Sequence, residues 1–272
     1  MTYLLEVLNV YFSYPGGVEA LKEVSLKAKR GEIIAVTGPN GCGKTTLLLI
    51  ASGLLKPDKG KVLFNGVPLD DQLPYVRRKI GIVFQNPDDQ IFNSTVYDEI
   101  AFALRQLDMK EEEVVKKVEE VALRLGINDI LRRSPYRLSL GEKKKVALAS
   151  ILVYEPELVL LDEPTANLSY KIIEEIEDII FELRKEGKTV MVASHDVDFI
   201  ARIADTVYVL SAGEVVGLGK ARKVLLDESL LSKAELVPPL IARVAKLLFD
   251  RRSPLPLTLE ELKDMLEQHQ NS

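Results

Sequence analysis

Ile33-Ile34-Ala35-Val36-Thr37, followed at once by Gly38-Pro39-Asn40-Gly41-Cys42-Gly43-Lys44-Thr45-Thr46, is the stretch that decides the fold. The apolar run shows no alternation, as expected of a strand buried on both faces. The glycine-rich segment after it satisfies Gly-x4-Gly-Lys-Thr and then opens a helix, the strand-loop-helix context that a phosphate loop needs. Glycines let the backbone fold closely around phosphate oxygens, and a helix N-terminus presents free N–H groups. Lys44 adds a full positive charge, and the Thr45 hydroxyl is placed to ligate Mg2+. Gly38, Pro39, Asn40, Gly41, Cys42, Gly43, Lys44, Thr45 and Thr46 are therefore the candidate ATP-binding loop. Cys42 has no His or second Cys near it in sequence and reads as small-residue filler rather than a nucleophile.

Working outward, Ile80 to Phe84, Leu158 to Leu161 and Val190 to Ala193 are further apolar runs without alternation. With the first run they imply a parallel central sheet, whose carboxyl edge is where open α/β proteins bind ligands. Polar residues follow the runs at that edge. Gln85 has an amide oxygen suited to Mg2+ and a loop position suited to movement. Asp162 would hold Mg2+ through water, leaving Glu163 as the general base for the water that attacks the γ-phosphorus. His195, one of two histidines, emerges at the same edge and is the candidate γ-phosphate contact.

Ser139-Leu140-Gly141-Glu142 precedes the apolar helix Val146 to Val153, and Ser139 with Glu142 forms a Ser-x-x-Glu capping box. Capping alone explains both residues. The functional alternative is a second phosphate site at a capped helix N-terminus, serving another subunit's ATP.

The flanking segments complete the architecture. Leu4 to Phe12, and Val24, Leu26 and Ala28 alternating with polar residues, read as strands of an antiparallel edge sheet. Val62 to Phe64 with Asn65-Gly66 reads as a tight hairpin in that sheet. Thr95 to Tyr154 is helix-rich, with Glu112/Lys116 and Glu113/Lys117 at pairing distance and Val114, Val118, Val121 and Leu125 as a core stripe that Gly126 caps. After Pro238-Pro239, Ile241 to Phe249 and Thr258 to Gln268 look like amphipathic helices. The expected fold class is α/β: a P-loop NTPase with a mostly parallel central sheet, an antiparallel β edge subdomain, an inserted helical subdomain and a small C-terminal helical extension. The expected boundaries are an ATPase domain over 1–236, its helical subdomain about 90–155, and the extension over 237–272.

Composition narrows the function classes. Of 272 residues, 47% are hydrophobic, yet no uncharged run reaches the ~20 residues needed to span a bilayer. A formal charge of -5 is the wrong sign for a chain whose main partner is nucleic acid. The start Met1-Thr2-Tyr3-Leu4 lacks a secretory pattern, and a single cysteine excludes an intramolecular disulfide, so a cytoplasmic setting is expected.

Taken together, the phosphate loop, Gln85, Leu138-Ser139-Leu140-Gly141-Glu142, Asp162-Glu163 and His195 resemble the ABC ATPase family in content and order. The resemblance covers nearly the entire chain. It implies a head-to-tail dimer with two ATP molecules at the interface, each held by one subunit's loop and the other's signature residues Ser139, Gly141 and Glu142. Tyr14 matches the family's adenine-stacking aromatic. Phe84 to Phe92, Thr95 to Phe102 and the Pro238-Pro239 extension look like the energy-coupling factor and cobalt-uptake branch. There an ATPase pair, homo- or heterodimeric, drives an integral membrane coupling protein and a substrate-binding membrane subunit for vitamins or transition metals. The resemblance thus implies an ATPase at the cytoplasmic face of the membrane, with Asp88 and Asp89 as candidates for contact with basic coupling helices or as a solvated turn. The alternatives are an ATPase of another ABC transporter type and a nucleotide-sensing ABC protein. Two departures bear on them: the signature has Leu140 where the family usually has Gly and Glu142 where Gln is common, and Ser169 stands where the family has Asp.

Overall fold

The computed structural model describes residues 3–249 and 255–270. In chain order the elements begin with β1 (Tyr3–Tyr14), β2 (Val18–Lys29), β3 (Ile33–Thr37) and α1 (Lys44–Ala51). Next come β4 (Lys59–Phe64), β5 (Val67–Pro68), the short α2 (Leu69–Gln72) and β6 (Ile80–Val83). The inserted helices α3 (Val96–Gln106), α4 (Glu111–Arg124) and α5 (Leu140–Leu152) lead to β7 (Leu158–Asp162), α6 (Tyr170–Lys185) and β8 (Thr189–Ala193). The chain continues through α7 (Val197–Ile203), β9 (Thr206–Ser211), β10 (Glu214–Lys220), α8 (Ala221–Leu225), α9 (Glu228–Ser232), α10 (Leu240–Leu248) and α11 (Leu259–Gln270).

The strands form two sheets, ordered β2-β1-β4-β5 and β10-β9-β3-β8-β7-β6. Every pairing in the first is antiparallel, and in the second only β10 runs against its neighbour β9. The non-alternating runs are thus the parallel strands, and β3, β7 and β8 are buried at every residue. Each face of that sheet has its own core. Ile33, Val159 and Val192 pack with α3 to α6, whereas Ile34, Val36 and Leu160 pack with α1 and the antiparallel sheet. Side-chain alternation along one strand therefore glues two unlike layers to it.

Several local expectations hold. Asn65 and Gly66 adopt left-handed φ of 54° and 77° in the β4–β5 turn, and Gly126 at φ 64° ends α4. The surface pairing on α4 differs: Lys116 faces Glu120, and Lys117 reaches out of the helix to Glu155. Strand β6 stops one residue early because the Phe84 N–H turns to donate to Gln90 Oε1 at 3.3 Å. The hairpin β9–β10, with Ala212 and Gly213 left-handed at its turn, has no counterpart among the elements expected from sequence. No helix among the described residues is long and apolar enough to cross a membrane.

Candidate functional site

Strand β3 delivers the loop 38–43 to the N-terminus of α1, and only glycine fits at its two tightest points. At Gly38 (φ 156°) an added Cβ would lie 2.1 Å from the Leu210 carbonyl oxygen. At Gly43 (φ 106°) it would lie 2.6 Å from the Ala20 carbonyl oxygen. The N-terminus of α1 has no side-chain cap and no acidic residue in its first turn, so its N–H groups are available to an anion. Lys44, the first residue of α1, is 6% exposed. Its ammonium donates to the Gly38 carbonyl at 2.8 Å and the Pro39 carbonyl at 3.1 Å, arching over the loop. Cys42 is turned inward, and burial pushes its thiol up, away from thiolate chemistry.

Strand β7 brings two carboxylates to the same edge. Asp162 Oδ2 accepts from the Thr45 hydroxyl at 2.7 Å, while its Oδ1 is buried without any partner. Burial pushes this carboxyl up. A hydroxyl and a half-satisfied carboxylate side by side are oxygen donors of the kind a small hard cation takes. Thr45 and Asp162, with the Gln85 amide lining the same cleft, therefore fit Mg2+.

Glu163 stands in left-handed conformation at φ 41°, which costs about 1–3 kcal/mol for such a residue. Its backbone N–H donates to the Ala193 carbonyl at 2.8 Å. The side chain is buried and held by several groups at once. Oε2 accepts from the Ser194 hydroxyl at 3.0 Å, and Oε1 accepts from the His195 N–H at 3.1 Å. His195 Nδ1 lies 2.8 Å from Oε1, and Lys44 Nζ lies 3.7 Å from it. The structure thus brings Lys44, Thr45, Asp162, Glu163 and His195 to one edge of the sheet.

A cleft of about 430 Å³ opens there, lined by Tyr14, Asn40, Gly41, Lys44 to Thr46, Gln85, Asp162 and Glu163 among others. The Tyr14 hydroxyl lies 3.1 Å from Thr46 Oγ1, and its ring makes an edge contact with Phe12. Gly38, Pro39 and Cys42 shape the loop from behind rather than line the cleft.

Ser139, Gly141 and Glu142 lie elsewhere, around a separate cleft of about 250 Å³ with Leu140, Asn167 and Ser169. The capping box is complete: Ser139 Oγ accepts from the Glu142 N–H at 3.4 Å, and Glu142 Oε2 accepts from the Ser139 N–H at 2.8 Å and its hydroxyl at 2.7 Å. Those bonds hold the Glu142 carboxyl below the usual carboxylate range. Ser169 precedes α6 without capping it. Asp88 is paired within the chain, 2.6 Å from Lys143 Nζ, and Asp89 accepts from the Asn86 amide at 3.3 Å.

Sequence reasoning passes over Ser194 and Lys144. Ser194 is discoverable as the polar residue between β8 and His195. Lys144 offers no signal, because one lysine of Lys143-Lys144-Lys145 looks like any other; only the fold shows that it is 1% exposed. Burial lowers its pKa to about 8.

Comparison with known proteins bears on the family and the fold. The family model described as "ABC transporter" matches residues 21–166. The chain is 43% identical over 239 residues to the energy-coupling factor transporter ATP-binding protein EcfA of Methanothermobacter thermautotrophicus, covering 87% of this chain and 77% of that one. It is 40% identical over 258 residues to the protein of the same name from Methanocaldococcus jannaschii, covering 94% and 92%. Among solved structures, cbiO1 from Clostridium perfringens, described as part of the ABC transporter complex cbiONQ, aligns with a TM-score of 0.77 at 36% identity, covering 91% of this chain and 99% of that one. The ATP-binding cassette MJ0796, solved as a dimer in a post-hydrolysis state bound to ADP and Pi, aligns with a TM-score of 0.74 at 32% identity, covering 80% and 98%.

Proposed function

This chain belongs to the ABC transporter family, and from that premise we propose that it is the ATP-hydrolysing subunit of an energy-coupling factor type importer for a vitamin or a transition metal. Two ATPase subunits close head to tail over two ATP molecules, and hydrolysis lets them part. That motion is passed at the cytoplasmic face to an integral membrane coupling protein and its substrate-binding membrane subunit. Residues 1–236 form the ATPase and 237–272 an extension.

One observation carries this reading. Lys44, Asp162, Glu163 and His195 come together at one edge of the sheet, while Ser139 and Gly141 line a cleft that shares none of those groups. A chain with half of a site at each of two places is completed by a second chain.

The division of labour follows from the contacts. Lys44 exchanges its two loop carbonyls for phosphate oxygens, and the free N–H groups of α1 take the remaining anionic charge. Tyr14 stacks on the adenine. Glu163 accepts the proton of the attacking water, and His195 both orients that carboxylate and reaches the γ-phosphate. Thr45, Asp162 and Gln85 would hold Mg2+, which when bound supplies charge neutralisation of the phosphates.

A second reading, a nucleotide sensor with little turnover, is favoured by Leu140 and Ser169 at the outer cleft. Affinity purification of the tagged chain from membranes, with mass spectrometry of what accompanies it and ATPase assay of the recovered complex, separates the two. Membrane subunits with steady hydrolysis are expected; steady nucleotide binding without turnover or membrane partners would instead favour the sensor.

A further inference from the structure

The ammonium of Lys144 is buried in the protein interior, and its three hydrogens go to three backbone carbonyls from two separate loops. It donates to the Gln85 carbonyl at 2.6 Å, the Phe84 carbonyl at 3.3 Å and the Glu163 carbonyl at 3.3 Å. A lysine has three N–H donors, so its hydrogen-bonding capacity is fully used. Among the described residues it makes no ion pair, although Asp162 and Glu163 favour its charge from a distance. Bringing an ammonium into such surroundings is unfavourable unless its hydrogens are bound, and here all three are. What the lysine adds is a fixed geometry for the carbonyls it holds.

Two of those three carbonyls belong to residues with much to gain from being fixed. Gln85 is the loop amide of the cleft, and Glu163 is the proton acceptor, whose left-handed peptide needs outside support. Lys144 itself rides on α5, whose N-cap is Ser139 and whose first turn carries Gly141. Neighbouring contacts bind the same helix to the same loop. Lys143 pairs with Asp88, and the Gln90 amide donates to the Ala147 carbonyl and the Ser150 hydroxyl, both at 3.3 Å. A shift of α5 is therefore felt at Gln85 and Glu163 together.

We propose that Lys144 is a positioning residue that carries the state of the outer cleft to the proton acceptor of its own chain. Engagement of Ser139 and Gly141 by the partner's ATP moves α5, and Lys144 draws the Glu163 and Gln85 peptides into line. Occupancy of one composite site thereby sets the hydrolytic competence of the other. The inference rests on the dimer reading under Proposed function.

The test compares wild type with Lys144→Met, which keeps the shape and loses the donors, and Lys144→Arg, which keeps the charge. Full-length protein is used, and ATP-driven dimerisation is followed by light scattering in the Glu163→Gln background. Wild type is expected to hydrolyse ATP with a Hill coefficient above about 1, the ceiling being about 2 for a pair of sites. Lys144→Met is expected to bind a fluorescent ATP analogue within about threefold of wild type, yet to lose about tenfold or more in kcat with its Hill coefficient falling to about 1. Lys144→Arg should recover most of the cooperativity; a purely structural role would lower the melting temperature of both variants and leave the Hill coefficient alone. Wild-type kcat and cooperativity in Lys144→Met overturns the proposal by itself. Should Lys144→Met fail to fold, wild-type kcat with unchanged cooperativity in Gln90→Ala, which cuts the neighbouring tie, overturns it equally. Absence of ATP-driven dimerisation in the chain that retains Lys144 overturns the dimer reading, and the proposal with it.

Discussion

Two helices of this molecule, α1 and α5, present their N-termini to nucleotide in the proposed function, and they are finished in opposite ways. Helix α1 begins after a left-handed glycine, with no side-chain cap and no acidic residue in its first turn. Helix α5 begins at a serine whose hydroxyl and N–H are both bound to Glu142. An uncapped end next to a lysine is an open demand for anionic charge; a boxed end is already satisfied. In that proposal the first end captures nucleotide, and the second answers to nucleotide already held opposite it. The contrast separates capture of nucleotide from sensing of it.

The sharpest way to break that contrast lies at the chemistry between them. Glu163→Gln is expected to keep nucleotide bound while hydrolysis slows about a thousandfold or more, a barrier increase of ~4 kcal/mol. Single-turnover assay against equilibrium binding checks it, and near-normal turnover would place the proton acceptor elsewhere. Next comes the capturing end. Lys44→Ala should weaken ATP binding about thirtyfold or more, since a charge-assisted contact of ~2 kcal/mol or more is removed. Titration with a fluorescent analogue measures it; unchanged affinity would mean the N–H groups of α1 suffice alone.

At the sensing end the effects are smaller and of another kind. Ser139→Ala removes a cap and should lower stability by ~1 kcal/mol, leave ATP affinity of the single chain untouched and diminish ATP-driven dimerisation. Calorimetry and light scattering distinguish those outcomes. The smallest effect belongs to Glu142→Gln, expected to cost below ~1 kcal/mol at neutral pH. Because the Glu142 carboxyl is held below its ordinary range, its contribution is present above the unfolded-state value and is lost as pH falls through the folded one. The stability gap between wild type and Glu142→Gln should therefore close on acidification below pH ~4. A gap that stayed constant would show that Glu142 is held by shape rather than charge.

Much of the fold can be read from the residues alone, because its signals are local. A non-alternating run, a glycine loop and a lysine at a helix start lie within 14 consecutive positions, 33–46. Each residue at the carboxyl edge likewise lies within two positions of the end of the strand that delivers it. What escapes is non-local. The strand β9 and its hairpin partner gain their place from pairing with β3, 172 positions away for Ile34 and Thr206. Lys144 gains its character from burial against loops about 60 and 19 positions distant, which no spacing rule within α5 contains. Asp88 shows the same limit from the other side: its acidity suggests an external partner or a solvated turn, and only the fold shows that it also pairs with Lys143.

The turn between β9 and β10 leaves a final consequence. The Gly213 N–H donates to the Cys42 carbonyl at 3.2 Å, and the Gly213 carbonyl accepts from the Lys22 N–H at 2.8 Å, so the phosphate loop is stitched to both sheets. A loop braced in this manner has little disorder to surrender when a ligand arrives, and loading should be quick. In the proposed function the same bracing would leave release of spent ADP to the separation of the two halves rather than to local loosening of the loop.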